Sequence, residues 1–259
     1  MQVRSSRAMS RQESPSALVL FVQHDTDSGI GYRFDTHAAR CSWKQERGQS
    51  GKLEHMRFVP KFLLSAMAPE HFPDASRTFA APEIAFLGRS NVGKSSLINT
   101  LLGSKEAKVS STPGRTRAIN FFALHEGTTQ KFSAEPSLIF ADLPGYGYAK
   151  ISKSISAEWP KFIEPYLGER ATLALCVCLV DTNIPPQESD TMLITALRQM
   201  QRPHIVVGTK SDRLGGNQLA KSLAVLKKAH GEERILAVSS KTENGVKALW
   251  PEILGVLPG

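Results

Sequence analysis

The stretch EIAFLGRSNVGKSSLINTLL, residues 83–102, decides the fold. An apolar run ends in Gly88, the first of eight loop residues that reach Ser95, and a helical pattern continues to Leu102. Gly88 and Gly93 stand five apart and are followed by Lys94 and Ser95. Glycine reaches the backbone angles that turn N–H groups inward, so such a loop can surround phosphate oxygens with amides. Arg89, Ser90, Asn91 and Val92 fill the loop. Lys94 is spaced to reach the β- and γ-phosphates, and the Ser95 hydroxyl to ligate Mg²⁺. The helix start adds a dipole that favours anions. A chance glycine-rich turn has no reason to sit between a strand and a helix.

Three further signals lie downstream, each closing an apolar run. LIFADLPG ends in Asp142, Leu143, Pro144 and Gly145. A carboxylate at that strand end can hold Mg²⁺ through a water, and the Gly145 amide can approach a γ-phosphate with no Cβ in the way. HIVVG is closed by Thr209, Lys210, Ser211 and Asp212. The Asp212 carboxylate can accept from guanine N1–H and the 2-amino group, which adenine does not offer in that geometry. The stem of Lys210 can lie along the base. After RILA come Val238, Ser239 and Ser240, placed for a loop whose amides meet the guanine carbonyl. Alone, each of these would pass for a strand-ending turn. In this order they argue for a guanine-nucleotide site, because ligands of α/β sheets bind at the carboxyl ends of the strands.

Apolar runs alternate with helical patterns at Ser95–Leu102, Gln187–Met200, Gln218–Ala229 and Gly245–Leu257. That alternation predicts a mostly parallel sheet with helices on both faces. The run Asn120–Leu124 reads as an added antiparallel strand at the edge, for six strands in all. Residues 83–259 form the nucleotide domain. Residues 56–82, with Pro60, Pro69, Pro73 and Pro82 around Phe62–Leu64, read as a lead-in packed on its edge. Residues 1–55 carry no nucleotide motif and read as a disordered or optional extension. Arg4, Arg7, Arg11 and five serines in the first sixteen residues suit an organelle transit peptide; Asp25, Asp27, Asp35 and Glu46 do not.

Composition is that of an ordinary globular chain, with 41% apolar and 22% charged residues among 259. Cys41, Cys176 and Cys178 are too few for a disulfide framework. Cys176 and Cys178 would share one face of a strand, where packing is their expected role. No apolar stretch reaches the roughly 20 residues of a membrane span. The net charge of +8 suits a phosphate-rich partner such as RNA, or solubility alone.

The quoted text resembles the EngB (YihA/YsxC) family of ribosome-assembly GTP-binding proteins, of the Era-like class. The resemblance runs from about Phe58 to the C-terminus. It rests on EIAFLGRSNVGKSSLIN, STPGRTRAINFF, DLPGYGYAK, TKSD and WPKFIEPYLGERATL. It implies a Ras-like fold, Mg²⁺-dependent GTP and GDP binding, slow GTP hydrolysis, and a place in large ribosomal subunit assembly linked to cell division and septation. It also implies that Ser110–Asn120 is the first switch. Thr116 would close on Mg²⁺ and the γ-phosphate, and Gly114, Arg115, Arg117 and Ala118 would line the nucleotide. Asn91 matches a position where related GTPases help hold K⁺; loop conformation explains an Asn there equally well. Tyr146 stands where Ras-type enzymes carry the Gln that orients the attacking water, so the catalytic residue is unassigned.

A switch for ribosome assembly is the first functional reading. A nucleotide-gated docking module with negligible hydrolysis is the second, and a membrane trafficking GTPase the weakest. The chain ends LGVLPG without a prenylation cysteine and starts MQ without a myristoylation glycine, so no stable membrane association is expected. The expected state is a cytoplasmic monomer, with mitochondrion or plastid as the alternative. Arg115, Arg117, Lys150 and Lys153 would face the phosphates of a ribosomal RNA precursor or the large subunit, with Tyr146 and Tyr148 available for stacking on bases.

Overall fold

Short apolar runs bounded by Gly, Pro or Asp become strands. In the computed structural model, residues 58–103, 118–146, 161 and 163–257 are described, all inside the unit Arg47–Gly259. Eight strands join in one sheet: β1 (Phe58–Ala66), β2 (Glu83–Gly88), β3 (Ile119–Thr128), β4 (Lys131–Phe132), β5 (Leu138–Asp142), β6 (Leu173–Asp181), β7 (His204–Thr209) and β8 (Ile235–Ala237). Their order is β1-β3-β5-β2-β6-β7-β8, with β4 paired to β3. The ladders β5–β2, β2–β6, β6–β7 and β7–β8 are parallel, while β1 and β3 run antiparallel to their neighbours.

The helices are α1 (Ala75–Thr78), α2 (Lys94–Leu102), α3 (residues 163–169), α4 (Glu188–Gln199), α5 (Gly216–His230) and α6 (Leu249–Leu254). Alternate strand positions feed two cores. Ala85, Leu87, Cys176, Cys178 and Val206 pack with α3, α4 and α5 through Tyr166, Leu193, Leu197 and Leu226. Ile84, Phe86, Val177 and Leu179 pack on the other face with α2 and α6 through Leu97, Ile98, Leu249 and Ile253. Cys176 and Cys178 are thus buried packing residues on one face, and burial pushes the Cys176 thiol up to about 12.

The two strands beyond the expected six are β1 and the short β4. β1, FVPKFLLSA, hides its identity because it has no regular alternation and contains Pro60. Proline lacks an N–H and is tolerated on an edge strand, which is where β1 lies. β3 is therefore second from the edge, paired on both sides. The lead-in is locked down by Phe62 against Phe122, ring centroids 5.7 Å apart, and by Phe58 stacked 5.5 Å from Trp250 of α6. The C-terminal helical pattern divides into a 3₁₀ turn at Val246–Ala248 and then α6. Pro251 falls in the first turn of α6, where its missing N–H costs least.

Candidate functional site

β2 is central and buried along its whole length, so the loop that follows it starts from a fixed point. Gly88 has no room for a side chain: a Cβ there would lie 2.7 Å from Val92 Cγ1 and 3.1 Å from Leu179 Cβ. Gly93 sits at φ 106, a conformation that glycine reaches without strain, and caps α2 without a side-chain acceptor. The first-turn amides of α2 therefore keep their capacity for an anion. Asn91 also has positive φ, 65, a region where Asn is enriched. Lys94 points into the fold and ion-pairs with Asp142 from the end of β5, both nearly buried.

Beyond Asp142 the chain runs along the loop. The Leu143 N–H donates to the Phe86 carbonyl at 3.2 Å, and the Ser90 N–H donates to the Tyr146 carbonyl at 3.0 Å. A Cβ on Gly145 would come within 2.9 Å of Ser90 N, so the glycine is required by the loop backbone itself. The Tyr146 side chain turns to α4, where its hydroxyl donates to Asp190 Oδ1 at 2.9 Å. Burial, then the neighbouring Asp190 charge, holds the Tyr146 hydroxyl well above the usual phenol range. Burial likewise raises the Asp190 carboxyl to about 6.

The base-reading residues close β7 and follow β8. The Thr209 hydroxyl donates to the Val92 carbonyl at 2.6 Å, tying this strand end to the phosphate loop. Lys210 adopts φ 58, and its ammonium meets Asp181 Oδ2 at 2.6 Å. Burial works against the Asp181 charge, but Lys210 and Asn183 outweigh it and leave the carboxyl below its ordinary value. Asp212 is exposed on the 3₁₀ turn Ser211–Arg213. Ser239, fully buried, donates its hydroxyl to Asp212 Oδ1 at 2.7 Å while accepting from the Lys241 and Thr242 amides at 3.2 and 3.1 Å. Those two amides occupy the hydroxyl's lone pairs, so its proton is aimed at the carboxylate. The same bond outweighs burial, which opposes the charge, and lowers the Asp212 pKa. Val238 is buried and Ser240 half-buried beside them.

The structure thus gathers Gly88 to Ser95, Asp142 to Gly145, Thr209 to Asp212 and Val238 to Ser240 at the carboxyl ends of adjacent strands β5, β2, β6, β7 and β8. Ala118 is a half-buried bend just before β3. Gly114, Arg115, Thr116, Arg117, Tyr148, Lys150, Lys153 and residues 1–55 lie outside the described residues.

Residues 83–210 match the family described as 50S ribosome-binding GTPase. A probable GTP-binding protein EngB from Acidobacterium capsulatum is 65% identical over 198 residues, covering 76% of this chain and 90% of that protein. This chain belongs to the EngB family of GTP-binding proteins. A second EngB protein, from Koribacter versatilis, is 54% identical over 76% of this chain and 94% of its own length. A crystal structure of Era in complex with MgGDPNP and nucleotides 1506–1542 of 16S ribosomal RNA shares the fold, with a TM-score of 0.55 and 25% identity. That alignment covers 69% of this chain and 57% of the Era chain. The fold is accordingly the Ras-like one of the P-loop GTPases, and the EngB-family chain is a GTP-binding protein of that class.

Several residues that shape this EngB site are not in the motifs. Asp181 and Asn183 brace Lys210: Asn183 Nδ2 donates to the Lys210 carbonyl at 3.1 Å, and the Asn183 N–H to Asp181 Oδ1 at 2.9 Å. Their signal was an acid at the end of LALCVCLVD followed by Thr-Asn. Gly245, at φ 75, lets the loop after β8 return: a Cβ there would sit 2.1 Å from the Ala237 carbonyl oxygen. Asp190 had no signal, being one of two acids in the first turn of an amphipathic helix. Among the described residues no helix is long and apolar enough to cross a membrane.

Proposed function

We infer that this chain is a GTP-driven switch for large ribosomal subunit assembly, with the family's link to cell division and septation, and that it hydrolyses GTP slowly on its own. One observation carries the nucleotide half: an exposed carboxylate, Asp212, held by buried Ser239 on the strand end next to the phosphate loop. The matched family's description supports the ribosomal half, and the net charge of +8 suits an RNA partner. The Tyr146 hydroxyl is engaged with Asp190, and a phenol has no amide with which to orient a water, which favours slow turnover. A docking module with negligible hydrolysis is the second reading, favoured by the same Tyr146.

Mg²⁺ fits the residues present. Ser95 and Asp142 offer hard oxygen donors at adjoining positions, Ser95 beside Lys94 and Asp142 ion-paired with it. Among the described residues no three His, Cys, Asp or Glu gather to hold a metal alone. The ion would therefore share its coordination with nucleotide phosphates and, in the family pattern, with Thr116. When bound, Mg²⁺ would supply positive charge that offsets the charge of the nucleotide phosphates. Lys94, now paired with Asp142, would meet the phosphates, and the Ser95 hydroxyl and the Asp142 carboxylate would hold the metal.

Asn91 is the residue that would help hold K⁺ near the phosphates, although its φ of 65 is a sufficient reason for Asn by itself. Turnover should be faster in KCl than in NaCl at equal ionic strength; equal rates would leave Asn91 its conformational role only.

The protein is expected in the bacterial cytoplasm as a monomer, with mitochondrion or plastid if residues 1–55 act as a transit peptide. Purified protein sedimented with ribosomal subunits should pellet with the large subunit in its GTP form, release in GDP, and release as salt rises. Charge reversal at Lys150, outside the residues expected to line the nucleotide, should weaken pelleting with GTP affinity unchanged, and at Arg117 it should weaken pelleting as well. Equal pelleting in GTP and GDP would rule out the switch.

A further inference from the structure

Tyr146 and Asp190 form a connection between the phosphate loop and α4 to which the nucleotide reading gives no part in binding. Its elements are continuous. The Ser90 N–H, in the phosphate loop, donates to the Tyr146 carbonyl at 3.0 Å. Arg89 and Tyr146 pair as an isolated parallel bridge, which carries the strand pairing of β5 with β2 on into the loop. Gly145 packs so close to Ser90 that no Cβ fits. The Tyr146 ring then passes into the core beside the face that carries Cys178, and its hydroxyl meets Asp190 at 2.9 Å. Asp190 is 3% exposed, although it stands in the first turn of a surface helix. An acid in that turn suits the helix dipole from an exposed position. The dipole gives no reason to bury it against a tyrosine.

We propose that Asp190 is a positioning residue that latches Tyr146 and so holds the Gly145–Tyr146 backbone on the phosphate loop, making the chain discriminate between guanosine tri- and diphosphate. The inference rests on the nucleotide reading above. An amide engaged with a carbonyl cannot donate to a phosphate oxygen at the same time. While the latch is closed, the Ser90 amide belongs to Tyr146, and the Gly145 backbone lies along the outer rim of the loop. A diphosphate needs the inner part of the loop, where Gly93, Lys94 and Ser95 open α2. A γ-phosphate needs the rim. Opening the latch is a cost borne by the triphosphate complex and not by the diphosphate complex, and differential cost is what sets a ratio of affinities.

The groups facing Asp190 fit this role. Burial disfavours its charge, Tyr146 donates to it, the Arg89 charge stabilises it, and the Asp181 charge opposes it. Arg89 Nε is buried without a hydrogen-bond partner among the described residues, and the Arg89 charge acts on Asp190 through space.

The test measures affinities of fluorescent GDP and of fluorescent guanosine 5′-(βγ-imido)triphosphate, both with Mg²⁺, for full-length wild type and variants. Tyr146→Phe deletes only the donor, and Asp190→Ala deletes the acceptor. Each should raise the triphosphate-to-diphosphate affinity ratio about fivefold or more, with GDP affinity unchanged. The double variant should match either single one, because both break the same bond. Asp190→Asn keeps a side-chain oxygen that can accept from Tyr146 and should stay near wild type. Where Asp190→Ala melts below the assay temperature, Tyr146→Phe and Asp190→Asn decide the matter between them. An unmoved ratio in Tyr146→Phe, additive effects in the double variant, or an Asp190→Asn shift as large as that of Tyr146→Phe would each overturn the latch. Wild type that binds neither nucleotide would overturn the nucleotide reading itself; wild type that binds both, with variants that leave the ratio in place, overturns the latch alone.

Discussion

Replacing Glu83 with alanine should lower the folding stability of this protein by about 3–5 kcal/mol while leaving its nucleotide affinity in place. Glu83 is the first residue of β2 and has no exposed surface. Its carboxylate accepts from the Tyr166 hydroxyl at 2.8 Å, from Arg170 Nε at 2.8 Å, from the other arm of the same guanidinium, and from the Thr172 hydroxyl at 2.7 Å. Arg170 also donates to the Pro73 carbonyl at 2.6 Å. One buried charge thus joins the lead-in, the central strand, α3 and the start of β6. Alanine would strand the guanidinium, the phenol and the Thr172 hydroxyl together, and a buried cation left without its partner is the costly outcome. Glutamine preserves the shape and part of the accepting capacity, so Glu83→Gln should lose about half as much or less. The measurement is a urea unfolding series on the three proteins, paired with GDP titration of each. Glu83 lies at the opposite end of β2 from Gly88, so a stability loss with normal GDP binding is the signature. An alanine variant within about 1 kcal/mol of wild type would show that the network is not a keystone of the fold.

That network illustrates what the sequence left hidden. EIAFLG announces a buried strand, yet its first letter is a glutamate, and nothing local says that Arg170, 87 positions later, will neutralise it. Buried ion pairs are made by topology and have no period. The phosphate and base loops were legible for the opposite reason. Their chemistry needs fixed residue types at fixed short spacings, so Gly88 to Ser95 and Thr209 to Asp212 declare themselves within eight and four residues. β1 was illegible because edge strands obey a looser pattern: Pro60 and a bulge between Phe62 and Leu64 erase the alternation by which strands are read. The catalytic role at Tyr146 stayed open in the sequence, which shows a departure from the Gln pattern but not where the phenol points.

The same contrast separates recognition from support within the base site. Asp212 is found by its motif, whereas the residues that aim it come from β8 and the loop beyond, and the brace on Lys210 comes from the end of β6. Gly245 belongs to this support, since its positive φ and the nearby Ala237 carbonyl exclude any side chain. A sequence motif names the atoms that touch a ligand. The fold supplies the atoms that hold them still.

Asp212→Asn should weaken GTP and GDP on the order of a hundredfold and improve xanthosine nucleotides. The carboxylate is exposed, with Oδ1 engaged by the Ser239 hydroxyl at 2.7 Å, which leaves Oδ2 and the remaining lone pairs for a base. Guanine offers two donors on one edge, N1–H and the 2-amino group, and a charged acceptor binds such a pair more strongly than a neutral one. Asparagine replaces one acceptor oxygen by an NH₂ group, which opposes the guanine amine and faces the 2-oxo group of xanthine as a donor. Ser239→Ala gives a second arm. It leaves the carboxylate charged but unaimed, and it also frees the Lys241 and Thr242 amides from their common acceptor. Its loss should be smaller, on the order of tenfold, with guanine still preferred over xanthine. Competition of GTP, xanthosine triphosphate and ATP against a fluorescent GDP on wild type and both variants reads all of these at once. Unchanged GTP affinity in Asp212→Asn would remove Asp212 from the base site. A Ser239→Ala variant that matched wild type would leave Asp212 as the reader but aimed by something other than the buried hydroxyl.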